Sequence, residues 1–262
     1  SNYNIGFPIT SYGCIYRYQG KEPEYLLIRR WYSVDFIDLI RGSYRESQLF
    51  FMIRGLPNEE REKLLSWDFD HLWTDLHHKP AEGEVYEFGK ASFQKISPYL
   101  EELFKILPSE DPEGKHLWLF PKGRPNYLTV GDKLVLESPL ESALREFTEE
   151  TNGLRLSEDD LILETPVAER FLGSNSKNYQ TIYFVFGSDT RPILSEDSTT
   201  EVSKMRWVPL SQIQGYLQPA RQNLIHYIEE QLAKPTYSRP SGIKEIWKTP
   251  VETGDAIPES DY

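Results

Sequence analysis

The chain has 262 residues, a net charge of −12 and 39% hydrophobic residues, enough for one large or two small domains with a substantial core. No apolar run approaches a membrane span, the single cysteine rules out a disulfide framework, and the acidic balance argues against broad non-specific binding to nucleic acid. Cys14 lies in an apolar stretch and reads as a small core residue, so a reducing, cytoplasmic setting is expected, with no secretory leader at the start.

Residues 11–18 and 25–31 are predicted strands of a hairpin, with turn signals at 20–24. Ser33 to Tyr44 reads as a short helix or an irregular segment. From about Asp35 to Leu107 the apolar spacing turns helical. Asn58 is placed to cap 59–67 and Asp68 to cap 71–77. A third helix over 91–107 carries Phe93, Ile96, Leu100, Leu103, Phe104 and Leu107, with Pro98 kinking it or starting it.

Strand character returns at 116–123, which ends Pro121-Lys122-Gly123, and a small hairpin over 128–136 turns at Gly131-Asp132. Strands are expected at 161–171, 181–187 and 202–208, and helices at 210–216 and 219–232. From Lys234 the chain is polar and proline-bearing, the pattern of a loosely held tail. The expected class is therefore α/β: residues 1–34 and 110–233 form a mixed-sheet domain, 35–109 an all-α insert, and 234–262 the tail.

The chemistry concentrates in 137–153. Ser138 can cap a helix, Pro139 suits its first position, Glu141 completes a capping box, and Asn152-Gly153 tolerate the left-handed exit. Leu140, Ala143, Leu144, Phe147 and Thr151 share one side. On the other, Glu146, Glu149 and Glu150 crowd together at i, i+3 and i+4. Like charges so spaced repel by about a few tenths of a kcal/mol, and the helix dipole disfavours anions at that end. A solvated acidic face is one reading. The other is a site for a hard divalent cation, Mg²⁺ or Mn²⁺, which takes carboxylate oxygens.

The run Glu137-x7-Arg145-Glu146-Phe147-x-Glu149-Glu150 resembles the signature of the Nudix hydrolases, with Asn152 before Gly153 where the family has glycine. Trp118 to Gly123 is similar to the Trp-x-apolar-Pro-Lys-Gly run of the Nudix enzymes that remove mRNA caps. Glu201 to Trp207 looks like their Glu-containing strand. Gly131 meets the family's spacing to Glu137 literally, but Gly123, with about eight extra residues looped in before Glu137, is assigned that role. Ser11 to Ile15, Tyr25 to Arg30, Phe36 to Tyr44 and Asp68 to Trp73 resemble stretches in mRNA-decapping Nudix enzymes of large nucleocytoplasmic DNA viruses (African swine fever virus and mimivirus type). Those enzymes place a helical domain before the signature. The resemblance covers roughly 8–232.

The resemblance implies a Nudix α/β/α sandwich with a mixed sheet, interrupted by the helical insert. It implies hydrolysis of the 5′ cap of mRNA, to 7-methylguanosine diphosphate and 5′-monophosphate RNA, in a host cytoplasm. Glu146, Glu149 and Glu150 would hold the cation. Glu201 would be the base or a further ligand, with Glu146 the competing base. Lys122 and Gly123 would meet the substrate phosphates, and Glu137 and Arg145 would form an ion pair that orients the loop without touching substrate. Stacking on a methylated guanine needs aromatic faces, for which Trp31, Tyr32, Trp73, Tyr86 and Tyr183 are available. Between Asn58 and Lys115 acidic residues outnumber Lys and Arg about two to one. An RNA track is therefore expected nearer the hairpin, among Arg29, Arg30, Arg41, Arg45 and Arg54, with Arg41 and Arg45 the residues chosen to test it.

Two other functions stay open on the residues. One is hydrolysis of diphosphoinositol polyphosphates or nucleoside diphosphate derivatives. The other is a silent module that binds RNA or a protein, against which the intact, self-repelling glutamate set argues. No oligomeric state is read, and His71, His77, His78, His116 and His226 show no metal-ligand spacing.

Overall fold

In the computed structural model, which describes residues 8–252, the chain divides into two compact units. The first comprises 8–29, 119–171 and 178–252, and the second 30–118 with 172–177.

The first unit is built on a mixed sheet. Strand β1 (Ile9–Tyr18) runs antiparallel to β2 (Glu24–Arg30), with Arg17 opposite Tyr25, and antiparallel to the short β4 (Lys122–Gly123). It runs parallel to β8 (Asn178–Ser188) along its whole length, from Ile9↔Tyr179 to Tyr18↔Ser188. The order is β3 (Trp118–Leu119), β2, β1, β8, β7 (Val167–Leu172), and β9 (Val202–Pro209) also pairs with β2.

The period of two along β1 sorts its side chains between two helices. Cys14 and Tyr16 join Phe184 and Phe186 in a core closed by Leu140, Ala143 and Phe147 of α7 (Pro139–Glu150). Arg17, one residue on, points the other way and meets Glu229 of α8 (Pro219–Ala233) at 2.8 Å, where Tyr25 also donates to Glu229. One helix thus covers each face of the sheet, an α/β/α sandwich.

Two expected strands are shorter than the sequence suggests. Residues 116–123 break at Pro121, whose carbonyl accepts from Cys14 N–H, into β3 on β2 and β4 on β1. Of 161–171 only Val167 onward is a strand, and Leu161 keeps an isolated bridge to Phe186. The hairpin forms as read, β5 (Tyr127–Val130) with β6 (Lys133–Leu136), turning at Gly131 with φ 61°. Residues 234–252, expected to hang loose, do not. Ile243 is buried in the α7 core, and β10 (Val251–Glu252) pairs with β6. The last ten residues of the expected tail lie outside the described residues.

The second unit holds six helices around an aromatic core of Tyr32, Phe36, Phe69, Trp73, Tyr86 and Phe93. Ser33 caps α1 (Val34–Arg41) through Phe36 N–H, and Gly42 ends it in the left-handed region. After α2 (Leu49–Gly55), α3 (Asn58–Ser66) starts one residue earlier than expected. Pro57 is its N-cap and Asn58 its first helical residue, so Asn58 does not cap it. Asp68 does cap α4 (Phe69–His77), accepting from His71 N–H at 2.8 Å.

Helix α5 (Glu84–Ile96) begins seven residues before the expected start at 91. Val85 and Phe88 are exposed, so the apolar period there does not report the buried face. Gly89, discouraging in mid-helix, is required because a Cβ there would strike the Ile40 carbonyl. Pro98 sits in the tight turn Ser97–Tyr99 that separates α5 from α6 (Leu100–Ile106).

Candidate active site

The glutamate helix starts where its sequence directs. Ser138 Oγ accepts from Glu141 N–H at 3.2 Å, and Pro139 occupies the first turn. The Glu141 side chain is exposed, and no return bond of a capping box is formed. At the other end Asn152 (φ 56°) and Gly153 (φ 102°) are both left-handed, and Gly153 N–H closes the exit on the Thr148 carbonyl at 2.9 Å. With Phe147 and Ala143 locked in the core at 0% exposure, Glu146, Glu149 and Glu150 are turned to the remaining sides.

Strand β4 brings the Pro-Lys-Gly run against them. Lys122 N–H donates to Glu150 Oε1 at 3.1 Å. Gly123 lies so close to Glu146 that a Cβ would fall within its carboxylate, so any side chain there would displace Glu146. Gly131, by contrast, stands at the hairpin tip with nothing within 4 Å of a Cβ. The two glycines that spacing alone confused are thus separated by geometry.

Arg145 does more than the expected pairing. Its Nε and Nη2 donate to Glu137 Oε1 at 3.0 and 2.6 Å, and Nη2 also reaches the Arg124 carbonyl at 3.0 Å. Nη1 turns to the acidic face and donates to Glu146 Oε1 at 2.9 Å and Glu149 Oε2 at 3.1 Å. Glu137, buried at 7%, is held in turn by Asn126 N–H at 2.9 Å. One guanidinium therefore ties the loop to two of the three crowded carboxylates.

The electrostatics show what that guanidinium leaves uncompensated. Burial, and next the charge of Glu146, push the Glu150 carboxyl up to about 8, against the Lys122 backbone N–H and ammonium; Glu201 adds to the rise. Burial also raises Glu146, opposed by Arg145 and reinforced by Glu149 and Glu201. Burial works against the charge on Arg145, yet Glu137 and Glu146 outweigh it and hold the guanidinium above its usual value. Glu201 itself is exposed, one residue before β9, with its N–H on Thr199 Oγ1. Its charge reaches both Glu146 and Glu150, so four carboxylates share one neighbourhood.

Among the described residues, no three His, Cys, Asp or Glu side chains are arranged to hold a metal ion as they stand. Glu146 and Glu149 are turned onto Arg145 Nη1, and Glu150 onto Lys122 N–H. The donor set is all carboxylate oxygen, with more negative charge than its cations offset, and its chemistry fits a hard divalent cation.

Other expected residues lie elsewhere. Arg41 and Arg45 belong to the second unit, where Arg41 Nε donates to His77 Nε2 at 3.2 Å and Arg45 is exposed. Of the five aromatics considered for stacking, Tyr32, Trp73, Tyr86 and Tyr183 are buried and only Trp31 is exposed. Large aromatic side chains contribute most when enclosed, and sequence alone does not tell a core ring from a platform. Sequence reading missed a buried polar group in the first unit. Glu169 of β7 faces Arg221 of α8 at 3.5 Å, and Tyr183 places its hydroxyl in their electrostatic reach. The lone Glu in the period-two pattern of β7 was its only signal.

Residues 106–230 match the NUDIX domain model. The chain is 28% identical over 212 residues to the mRNA-decapping protein g5R of African swine fever virus (isolate Pig/Kenya/KEN-50/1950), covering 74% of this chain and 81% of that protein. It is 24% identical over 230 residues to a protein of Acanthamoeba polyphaga mimivirus named "Putative mRNA-decapping protein", covering 74% of this chain and 61% of the mimivirus protein's length. Among solved structures, a C. elegans Ap4A hydrolase aligns over 87% of this chain and 100% of its own at 11% identity and a TM-score of 0.42, too distant to bear on either fold or activity.

Proposed function

We propose that this Nudix hydrolase, a chain with a Nudix domain over residues 106–230, removes the 5′ cap of mRNA and releases 7-methylguanosine diphosphate and 5′-monophosphate RNA. The observation that carries the substrate is the similarity, over 74% of the chain, to viral proteins named for mRNA decapping. The glutamate helix, common to hydrolysis of many diphosphate linkages, supports the reaction type and not the cap.

Nudix hydrolases in general use divalent metals, and Mg²⁺ or Mn²⁺ is the ion proposed here. Glu146, Glu149 and Glu150, with Glu201 as a further candidate, would hold it. Bound there, such a cation offsets diphosphate charge and lowers the pKa of a water. The chain's own residues do the rest. Lys122 sets an ammonium beside Glu150, where it can meet a phosphate oxygen. Gly123, without a side chain, lets the Glu146 carboxylate lie directly against strand β4.

Glu201 is the better candidate for the base. It is exposed, whereas Glu146 is engaged by Arg145 and pressed against Gly123. A positioned base contributes about 10²–10⁴-fold. Arg145 orients the helix on the loop through Glu137 and moderates the repulsion between Glu146 and Glu149. RNA beyond the cap is assigned to a basic track that includes Arg41 and Arg45. The host cytoplasm is the proposed place of action; no helix among the described residues is long and apolar enough to cross a membrane.

The test is incubation of cap-labelled RNA, and separately of a diphosphoinositol polyphosphate, with Mg²⁺ or Mn²⁺, for the parent protein and for Glu149→Gln and Glu150→Gln. Release of 7-methylguanosine diphosphate by the parent, lost in both variants, is expected. Turnover of the inositol substrate alone would transfer the reaction to that class. Retained RNA binding without turnover of either would make the chain a silent module.

A further inference from the structure

We infer that residues 234–252 form a positioning strap, whose terminal strand β10 holds the β5–β6 hairpin and through it the glutamate helix. After α8 the chain is tied down at successive points on the first unit. Tyr237 donates its hydroxyl to the Ile162 carbonyl at 2.9 Å, and Arg239 reaches the Asp159 carbonyl at 3.1 Å. Glu158 takes two contacts from the strap, Ile243 N–H at 2.9 Å and Lys248 Nζ at 2.5 Å. Those partners hold the Glu158 carboxyl below its usual range, the Ile243 N–H first and Lys248 next. Ile243 enters the same apolar cluster as Leu140, Ala143 and Phe147 of α7, and Trp247 stands edge-on to Phe184 at 5.8 Å.

The strap then ends on the hairpin. Val251 pairs with Leu136 and Glu252 with Val135, and Lys133 Nζ lies 3.5 Å from Glu252. All four residues of β5 are exposed and β6 buries only Val135, so the hairpin has little core of its own. A two-stranded hairpin is marginal in water, and pairing with β10 adds a third strand to it. Its base leads straight into Glu137, whose N–H bonds the Asn126 carbonyl at 2.8 Å and whose carboxylate anchors Arg145. Arg145 in turn touches Glu146 and Glu149. The contact chain β10–β6–Glu137–Arg145–Glu146 is continuous. No residue of 234–252 belongs to the proposed catalytic set, so the strap is a positioning element. Its effect on turnover rests on the catalytic assignment of Glu146 and Glu149; its effect on the hairpin does not.

The experiment compares the full chain with a Val251→Pro/Glu252→Pro variant, which cannot donate from β10, and with Val251→Ile, which keeps the pairing. Amide exchange over 133–137 is expected to rise about tenfold or more in the proline variant, with the core strands β1 and β8 unchanged. Mn²⁺ affinity, read by calorimetric titration, is expected to weaken several-fold. On capped RNA, kcat is expected to fall about ten- to a hundredfold with KM within about twofold, the signature of misplaced catalytic groups. Val251→Ile should match the parent in all three. Unchanged exchange over 133–137 would overturn the inference, as would faster exchange with parental Mn²⁺ affinity. If the parent turns over no capped RNA, the proposed substrate fails, and exchange with Mn²⁺ affinity alone decides the strap.

Discussion

Both units bury charge, and they treat it in opposite ways. In the second unit Glu60, 3% exposed, accepts from Ser33 N–H and Oγ, and Arg61, 6% exposed, donates to the carbonyls of Leu56, Phe104 and Ile53. Asp111 accepts from the N–H groups of Lys115 and His116 and from the His116 ring. Each of these groups is hydrogen-bonded to partners of the right sign or dipole, while burial and, less, the charge of Asp35 still raise the Glu60 carboxyl. In the first unit Glu146 and Glu150, with the exposed Glu149, share one guanidinium and one backbone N–H, and Glu150 is pushed up to about 8. Charge kept in excess of its partners, as on α7, is the feature that supports the proposed cation site.

The largest effect should come from removing the excess. Glu150→Gln is expected to lower kcat by about 10²–10⁴-fold, the scale on which a catalytic carboxylate acts, while stabilising the metal-free protein. The sign follows from the raised value. Stability contributed by a protonated Glu150 is present below its unfolded pKa and lost as pH rises toward about 8, so the variant's advantage in denaturant should grow across that interval. Next, Arg61→Ala should destabilise by about 3 kcal/mol through the loss of its charge-assisted hydrogen bonds, with kcat per folded molecule unchanged; the Leu56 carbonyl keeps Ser109 Oγ and the Ile53 carbonyl keeps Leu56 N–H. Gly123→Ala should reverse that pattern, lowering kcat about tenfold or more with little change in Tm, because it displaces Glu146 and no core residue.

The smallest effects are pH-dependent and of opposite sign. Burial works against the Asp111 carboxylate, but the His116 ring and the backbone N–H groups of His116 and Lys115 prevail and lower it to about 2. Asp111→Asn should therefore cost about 2 kcal/mol at neutral pH, a difference that vanishes as pH falls from about 4 through 2. Burial, with Asp35 adding, raises Asp38 to about 6 despite Arg41 and Arg30. Asp38→Asn should thus stabilise modestly above pH 6 and change little below pH 4. Asp38, like its neighbour Asp35, is an exception to saturation in the second unit, and equal effects for Asp38→Asn and Glu150→Gln on turnover would break the contrast.

What sequence made legible is what is local. Ser138, Pro139 and Asn152-Gly153 bound α7, Asp68 caps α4, and Gly131 turns the hairpin, because each acts within five residues of itself. The clustering of the glutamates followed from helical spacing. The rest depended on distant partners. The helix over 84–90 was hidden by Gly89, which is there for the Ile40 carbonyl, and the two-residue strand β10 exists only because β6 lies beside it. Arg145 was legible as the partner of Glu137 at eight residues' separation. Its third role, at Glu146 and Glu149, required seeing where its Nη1 points.

The central claim is that the acidic face of α7 is kept for a divalent cation. Thermal unfolding of the parent and of Glu150→Gln across a Mn²⁺ titration tests it most directly, since a ligand that binds only the folded state raises Tm with concentration. The parent's Tm should climb with Mn²⁺ and that of Glu150→Gln should stay nearly flat. Parallel curves for the two proteins, or no rise in either, would contradict the claim.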